Sequence, residues 1–507
     1  MGKINAGPML NSYPDSLGGT LRDIVNFLKR PEVKGTFTSF YILPSLYHSD
    51  LDRGFSVIDY DINEELAKPE DLTALREMGI DLKLDFVLNH ASVLSPQFQD
   101  LLMKGNKSQY RDFFINWNEF WNGYGVMTGQ GYIQPDEKYI KDMFFRKPGL
   151  PILMVRFPDG SEVPYWNTFY QKVWEENGER KYLGQMDLNI KSPKVWEFYR
   201  DTLKKLSDYG AKIIRLDAFA YASKEPGRRN FMNEPETWEL LESVNAIANQ
   251  YGLLLLPEIH ASYEEGIYEK IADKGYLIYD FFLPSLIIDA LESGNGATLA
   301  AWANELIKKK IRTVNMLGCH DGIPLLDLKG LIPEKRIQKL IDIIVSRGGL
   351  IKNLHGKKDI YYQINATYFS ALGEDESKLL LARALQLFMP GKPQIWYLDL
   401  FAGKNDYEAV SNAGPGGHKE INRTNLSNDD IERLLALPVV KRQLELLRFR
   451  ASCPAFDFDS DIKVSSAGGT LSSTWNKNGY TATLNVDLRN FTYTISLRKP
   501  DGGVELI

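Results

Sequence analysis

The chain is poor in the features that mark specialised classes of protein. Only two of its 507 residues are cysteine, Cys319 and Cys453. Two thiols build neither a disulfide framework nor a thiolate metal site, and they favour a reducing compartment. The longest apolar stretch, YLIYDFFLPSLIIDAL from Tyr276, is interrupted by Asp280, Pro284 and Asp289 and is too short for a bilayer. The first residues show no apolar region of a secretory signal, and Ala6 leaves the myristoylation pattern begun by Gly2 incomplete. A cytoplasmic protein without a membrane partner is expected. Basic residues are not in excess: 60 Lys and Arg against 66 Asp and Glu give a formal charge of −6. A nucleic-acid binder would show a basic face, so no nucleic-acid partner is expected. Neither the G-x-G-x-x-G nor the G-x-x-x-x-G-K-[ST] phosphate loop occurs in its required setting, and H-E-x-x-H and G-x-S-x-G are missing too.

What is present is ordinary in composition, with 44% hydrophobic and 25% charged residues, which excludes global disorder. Apolar runs at 37–44, 81–89, 211–219, 252–260, 276–284, 313–321 and 392–400 read as strands buried on both faces. Amphipathic segments such as PKVWEFYRDTLKKLSDYG and ATLAAWANELIKKK alternate with them. Seven or eight such units predict a (β/α)8 TIM barrel, an α/β fold, over an open sheet. The barrel is assigned 1–90, 205–324 and 376–445. Residues 91–204 form an inserted subdomain in this reading, and 325–375 a second insertion with an acceptor loop. Short alternating strands then predict a C-terminal all-β domain over 446–507.

Catalytic groups of such a barrel sit where its strands end. Those ends carry Asp85, Asn89 and His90, then Arg215 and Asp217, Glu258 and His260, and His320 and Asp321. A single aspartate after a strand is most often a helix N-cap. Charged groups at successive strand ends are harder to explain by packing. Clustered carboxylates suit cleavage of a glycosidic bond, one as nucleophile and another as general acid and base.

DFVLNH (85–90), IIRLDAFAY (213–221), LLPEIH (255–260) and LGCHDG (317–322) closely resemble the four signature regions of the α-amylase superfamily. The resemblance implies Asp217 as nucleophile, Glu258 as general acid/base and Asp321 as transition-state stabiliser. It also implies that Arg215 orients the nucleophile while His90 and His320 hold glucose hydroxyls. SYPDSLGG, SDLDRGFSVIDYD (49–61), RKPGLP (146–151), KEPG (224–227), IHASY (259–263) and INRTNL (421–426) are similar to the sucrose phosphorylase group within that superfamily. In that group the counterparts of Asp52 and Arg423 pair over the glucose 4-hydroxyl and close the pocket to one glucosyl unit. Phe55 and Tyr221 would lie against the sugar ring, and Gln185 would face the site. The implied reaction is phosphorolysis of a small α-glucoside to α-D-glucose 1-phosphate through a glucosyl–Asp217 intermediate. Inorganic phosphate is then the co-substrate, with no cofactor and no metal.

Attack by phosphate calls for cationic donors on the acceptor side. Arg146, Lys147, His260, Lys404 and His418 are candidates, with Tyr362 and Gln363 in the acceptor loop. LGCHDGIP, INRTNL and DIYYQ depart from the LDTHDGIG, INRHYY and LDLYQ usual in sucrose phosphorylases. These departures leave the glucosyl subsite intact and alter the leaving-group side. They rank glucosylglycerol first, then sucrose, then glucosylglycerate or sucrose 6-phosphate. A hydrolase or transglucosidase with the same triad competes, as does a non-catalytic binding barrel. Members of the group are often dimers, which leaves a homodimer open. The aromatic residues, 12% of the chain and dense over 109–170, are expected to wall the sugar pocket.

Overall fold

A computed structural model describes residues 4–143, 145, 149–353, 361–414 and 416–507. Eight strands run parallel: β1 Met9–Ser12, β2 Ser39–Ile42, β3 Asp81–Val87, β4 Ala211–Asp217, β5 Leu254–Pro257, β6 Ile278–Asp280, β7 Thr313–Met316 and β8 Lys392–Trp396. Their order is β5-β4-β3-β2-β1-β8-β7-β6, the sequence of a nearly closed barrel. Seven of these strands lie within the apolar runs that predict them. β1 does not, because its four residues MLNS are few and end in two polar ones, Asn11 and Ser12, both buried.

The bore is packed by polar side chains reaching across it. Lys83 on β3 donates to Gln394 Oε1 on β8 at 2.7 Å and to the Tyr279 hydroxyl on β6. Tyr41 on β2 donates to Asp85 Oδ2 at 2.8 Å. β3 shares no edge with β6 or β8, so these groups meet only through the interior. Burial there pushes the Lys83 ammonium well below the usual lysine range.

The segment between β3 and β4 is tied to the mouth of the barrel by Glu179–Asp187, which pairs antiparallel with His90–Ser92. Its tryptophans do not wall the pocket as expected. Trp117, Trp121 and Trp166 close with Ile115 and Ile133 into a separate buried core, with the Trp117 and Trp166 rings 4.8 Å apart. Phe169 is the member of that aromatic group that reaches His90 and Tyr221.

Two expected domain boundaries fall inside helices. Helix Pro193–Asp208 crosses residue 204 and packs on β3, where Tyr199 stands edge-on to Phe86 and donates to Leu88 O at 2.6 Å. Helix Pro438–Ser452 crosses residue 445, and its buried Arg450 donates to the carbonyls of Leu387 and Gly391, both at 2.8 Å.

Beyond it, β9 Asp461–Ala467, β10 Thr470–Lys477, β11 Tyr480–Asp487, β12 Thr492–Arg498 and β13 Val504–Leu506 form an antiparallel meander. Asn478 and Gly479, with φ of 52° and 79°, supply the left-handed pair that a tight hairpin takes between β10 and β11. Trp475 docks the sheet on the barrel by donating to Phe388 O at 2.8 Å. Among the described residues no helix is long and apolar enough to cross a membrane.

Candidate active site

Strands β4 and β5 pair in register, Leu216 opposite Pro257. The next residue on each is a carboxylic acid, so Asp217 and Glu258 emerge side by side at the mouth. Arg215 lies two residues before Asp217 and therefore on the same side of β4. Its Nη1 is 2.6 Å from Asp85 and 2.8 Å from Asp217, and its Nη2 is 2.8 Å from Glu258. One guanidinium thus spans the two carboxyls and holds them on the same side of the mouth. Burial and the charges of Glu258, Asp85 and Asp321 outweigh Arg215 and push Asp217 up to about 7. Burial would raise Glu258 as well, but Arg215 and His260 bring it down to about 2. The two carboxyls therefore titrate as a pair that keeps one proton over most of the acid range.

Asp321 closes the triad from the loop after β7. Its backbone carbonyl accepts from Gln363 Nε2 at 2.5 Å and Asn365 Nδ2 at 2.6 Å. Burial would raise its carboxyl, yet His320, Lys419 and Arg423 hold it well below the usual range. His320 is buried, which lowers it to about 3, and its ring stacks on Phe55 with centroids 5.1 Å apart.

Asp52 reaches the mouth on a strained turn. Asp52 and Arg53 both have φ of +48°, and a side chain at Gly54 would run into the backbone of Pro44 and Ser45. Arg423 Nη1 lies 3.3 Å from Asp52, and its Nε donates to His320 O at 2.9 Å. Arg53 locks the arrangement by donating to Arg423 O at 2.8 Å while pairing with Asp15 at 3.0 Å.

His90 and Gln185 meet on the other wall. Their ring and amide nitrogens lie 3.2 Å apart, and both reach Phe55 O, at 3.0 and 3.2 Å. Burial lowers His90 to about 4, leaving a neutral imidazole. Tyr221 packs with Phe169 and Phe231.

Of the cationic candidates, His260 is brought in. It stacks on Phe281 with Nε2 3.6 Å from Glu258 and Nδ1 3.4 Å from Asp327. Burial opposes its charge, but Asp327 and Glu258 win and push it up to about 10. Lys404 is not drawn in: it is about two-thirds exposed and pairs with Glu374 at 2.6 Å. A long side chain on an open loop finds a surface partner more readily than a buried site. His418 is exposed in the turn Gly417–Asn422. Arg146 and Lys147 lie outside the described residues, as does the side chain of Tyr362.

Sequence reasoning missed two lysines. Lys419, beside the nominated His418, sets its ammonium 2.6 Å from Asp321. Lys224 buries its ammonium 2.8 Å from Asp187 and 3.0 Å from Asn89 Oδ1. Its only signal was its place in KEPG. No group of three or more acidic, histidine or cysteine side chains suited to a metal ion occurs among the described residues.

This arrangement offers two neighbouring carboxyls, one able to attack and one able to carry a proton, in a pocket ringed by paired charges and aromatic side chains. The catalytic-domain model of α-amylase matches residues 18–319. The chain belongs to the α-amylase family, in its sucrose phosphorylase group. This α-amylase-family enzyme is a glycoside phosphorylase. It is 54% identical over 98% of its length, and 97% of the relative's, to a sucrose 6(F)-phosphate phosphorylase of Ilumatobacter coccineus. To a glucosylglycerol phosphorylase of Marinobacter adhaerens it is 30% identical, covering 97% and 96% of the two chains. The crystal structure of sucrose 6F-phosphate phosphorylase from Thermoanaerobacter thermosaccharolyticum superposes with a TM-score of 0.89 at 35% identity, covering 99% of this phosphorylase and 98% of that chain.

Proposed function

We propose that the enzyme transfers glucose between inorganic phosphate and fructose 6-phosphate, cleaving sucrose 6F-phosphate by double displacement. Asp217 attacks the anomeric carbon as a carboxylate while Glu258 gives the departing fructosyl oxygen the one proton the pair keeps. That proton rests on Asp217 before substrate binds, so it first passes to Glu258. A phosphate oxygen then attacks the glucosyl–Asp217 ester and passes its proton to Glu258, giving α-D-glucose 1-phosphate with retention. Asp321 stabilises the positive charge that builds at C1. Asp52 and Arg423 close the far end on the 4-hydroxyl, so one glucosyl unit fits.

The motif departures ranked glycerol first as acceptor. Identity favours fructose 6-phosphate instead: 54% to the relative of that name against 30% to the glucosylglycerol enzyme. That difference carries the choice of acceptor. The imidazolium of His260, fixed beside Glu258, supports an anion on this side of the site. Synthesis run from α-glucose 1-phosphate with fructose 6-phosphate, fructose, glycerol and glycerate tests it. The highest kcat/KM should fall to fructose 6-phosphate; a faster reaction with glycerol or fructose would overturn the assignment.

Two further outcomes follow from the site. Because the Asp217–Glu258 pair must keep one proton, kcat/KM should fall about tenfold per pH unit above about 7, where that proton is lost. His260 stays charged there, so an alkaline limb first appearing near pH 10 would assign the proton to His260. Arg53→Ala frees the loop that carries Arg423. The KM for α-glucose 1-phosphate should rise about tenfold, the worth of a charged hydrogen bond, with a smaller change in kcat.

A further inference from the structure

Lys419 is the charged group at the mouth to which the double displacement gives no task. Its ammonium lies 2.6 Å from Asp321 Oδ1 and 3.4 Å from Asp52 Oδ2, on a side chain only one-fifth exposed. An ammonium has three N–H donors. Two are turned to these carboxylates, and the third meets no protein acceptor among the described residues. Arg423 Nη2 is likewise buried without a partner there.

The chemistry of a hydroxyl says what such donors are for. A carboxylate only accepts, so a sugar hydroxyl that donates to Asp52 or Asp321 keeps lone pairs that burial strips of water. Leaving a buried acceptor unmet is costly, and a charged donor can meet it. At Asp52 that donor is Arg423, 3.3 Å away. At Asp321 the corresponding cation is Lys419. One ammonium reaches both carboxylates, so the two hydroxyls they hold are neighbours on the ring.

We propose that Lys419 reads the 3-hydroxyl of the glucosyl unit, donating to its oxygen while Asp321 accepts its proton. The 3- and 4-hydroxyls are then each held between a carboxylate and a cation, and the ligand recognised is an equatorial vicinal diol. This rests on the reading of the pocket as a subsite for one glucosyl unit.

The test pairs deletion of the side chain with deletion of the hydroxyl. With α-glucose 1-phosphate as donor, Lys419→Met should lower kcat/KM about 10- to 100-fold. With 3-deoxy-α-glucose 1-phosphate the same substitution should cost less than threefold, whereas with the 4-deoxy donor it should keep its full effect. Lys419→Arg should recover part of the loss, and unchanged melting of Lys419→Met separates this from misfolding. An equal loss on all three donors would overturn the assignment and leave Lys419 as a plain counterion of Asp321. Calorimetric binding of D-glucose and 3-deoxy-D-glucose repeats the comparison without turnover. A wild type that binds glucose with this selectivity but releases no phosphate would sink the phosphorylase reading and leave the role of Lys419 standing.

Discussion

Asp217→Ala is expected to lower kcat by about 10⁴-fold or more, because the carboxylate that forms the covalent intermediate has no substitute nearby. Glu258 lies beside it but is held by Arg215 and His260, and Asp85 is bonded to Arg215 and Tyr41. Glu258→Gln should behave differently. It keeps the shape and removes only the transferable proton, which is worth about 10²–10⁴-fold where the leaving group needs it. A sugar alkoxide needs that proton; phosphate, a far better leaving group, needs it much less. In the glutamine variant, release of phosphate from α-glucose 1-phosphate in the first turnover should therefore stay near the wild-type rate. Release of fructose 6-phosphate from its glucoside should collapse. Equal losses in the two half-reactions would remove Glu258 from the role of proton donor.

The second large effect is on stability. Lys224 stands in a cage of oxygens, 2.8 Å from Asp187 Oδ2, 3.0 Å from Asn89 Oδ1 and 2.5 Å from Tyr221 O. The cage joins three pieces of chain: the end of β3, the strand Glu179–Asp187 and the turn after β4. Lys224→Met keeps the stem and removes the charge, leaving the buried Asp187 carboxylate, among the described residues, with the neutral donors Asn89 and Thr168. Stranding one partner of a buried pair costs about 3–5 kcal/mol. The urea midpoint should fall accordingly, and turnover with it, since Asn89 and Tyr221 adjoin His90 and the sugar-facing wall. An unchanged midpoint would show that the ammonium's own desolvation cancels everything the pair contributes.

The parts of the site that were legible in the sequence share a physical cause. Asp217, Glu258 and Asp321 follow buried strands, and a run such as AKIIRLD announces both the strand and the place where its charge must surface. Asp52 and Arg423 were found through motif resemblance alone, because the strained turn at Asp52–Gly54 leaves no periodic trace. Lys419 and Lys224 went unnoticed for the same reason: each is a lysine in a loop, and what sets it apart is a carboxylate distant along the chain. The tryptophans of 109–170 misled in the opposite direction. Aromatic density reports burial, and here the buried place is a second core, not a ligand wall.

The register of β4 against β5 has a consequence for how this enzyme can diverge from its relatives. The spacing of Asp217 and Glu258 is set by the paired backbones of β4 and β5 rather than by a loop. The departures from the sucrose phosphorylase motifs, LGCHDGIP, DIYYQ and INRTNL, lie instead in the connections after β7 and β8. Insertions or exchanges there can retune which alcohol is released while the bond-breaking geometry is inherited intact. On the proposed mechanism, acceptor preference can therefore change without any change in the stereochemical outcome.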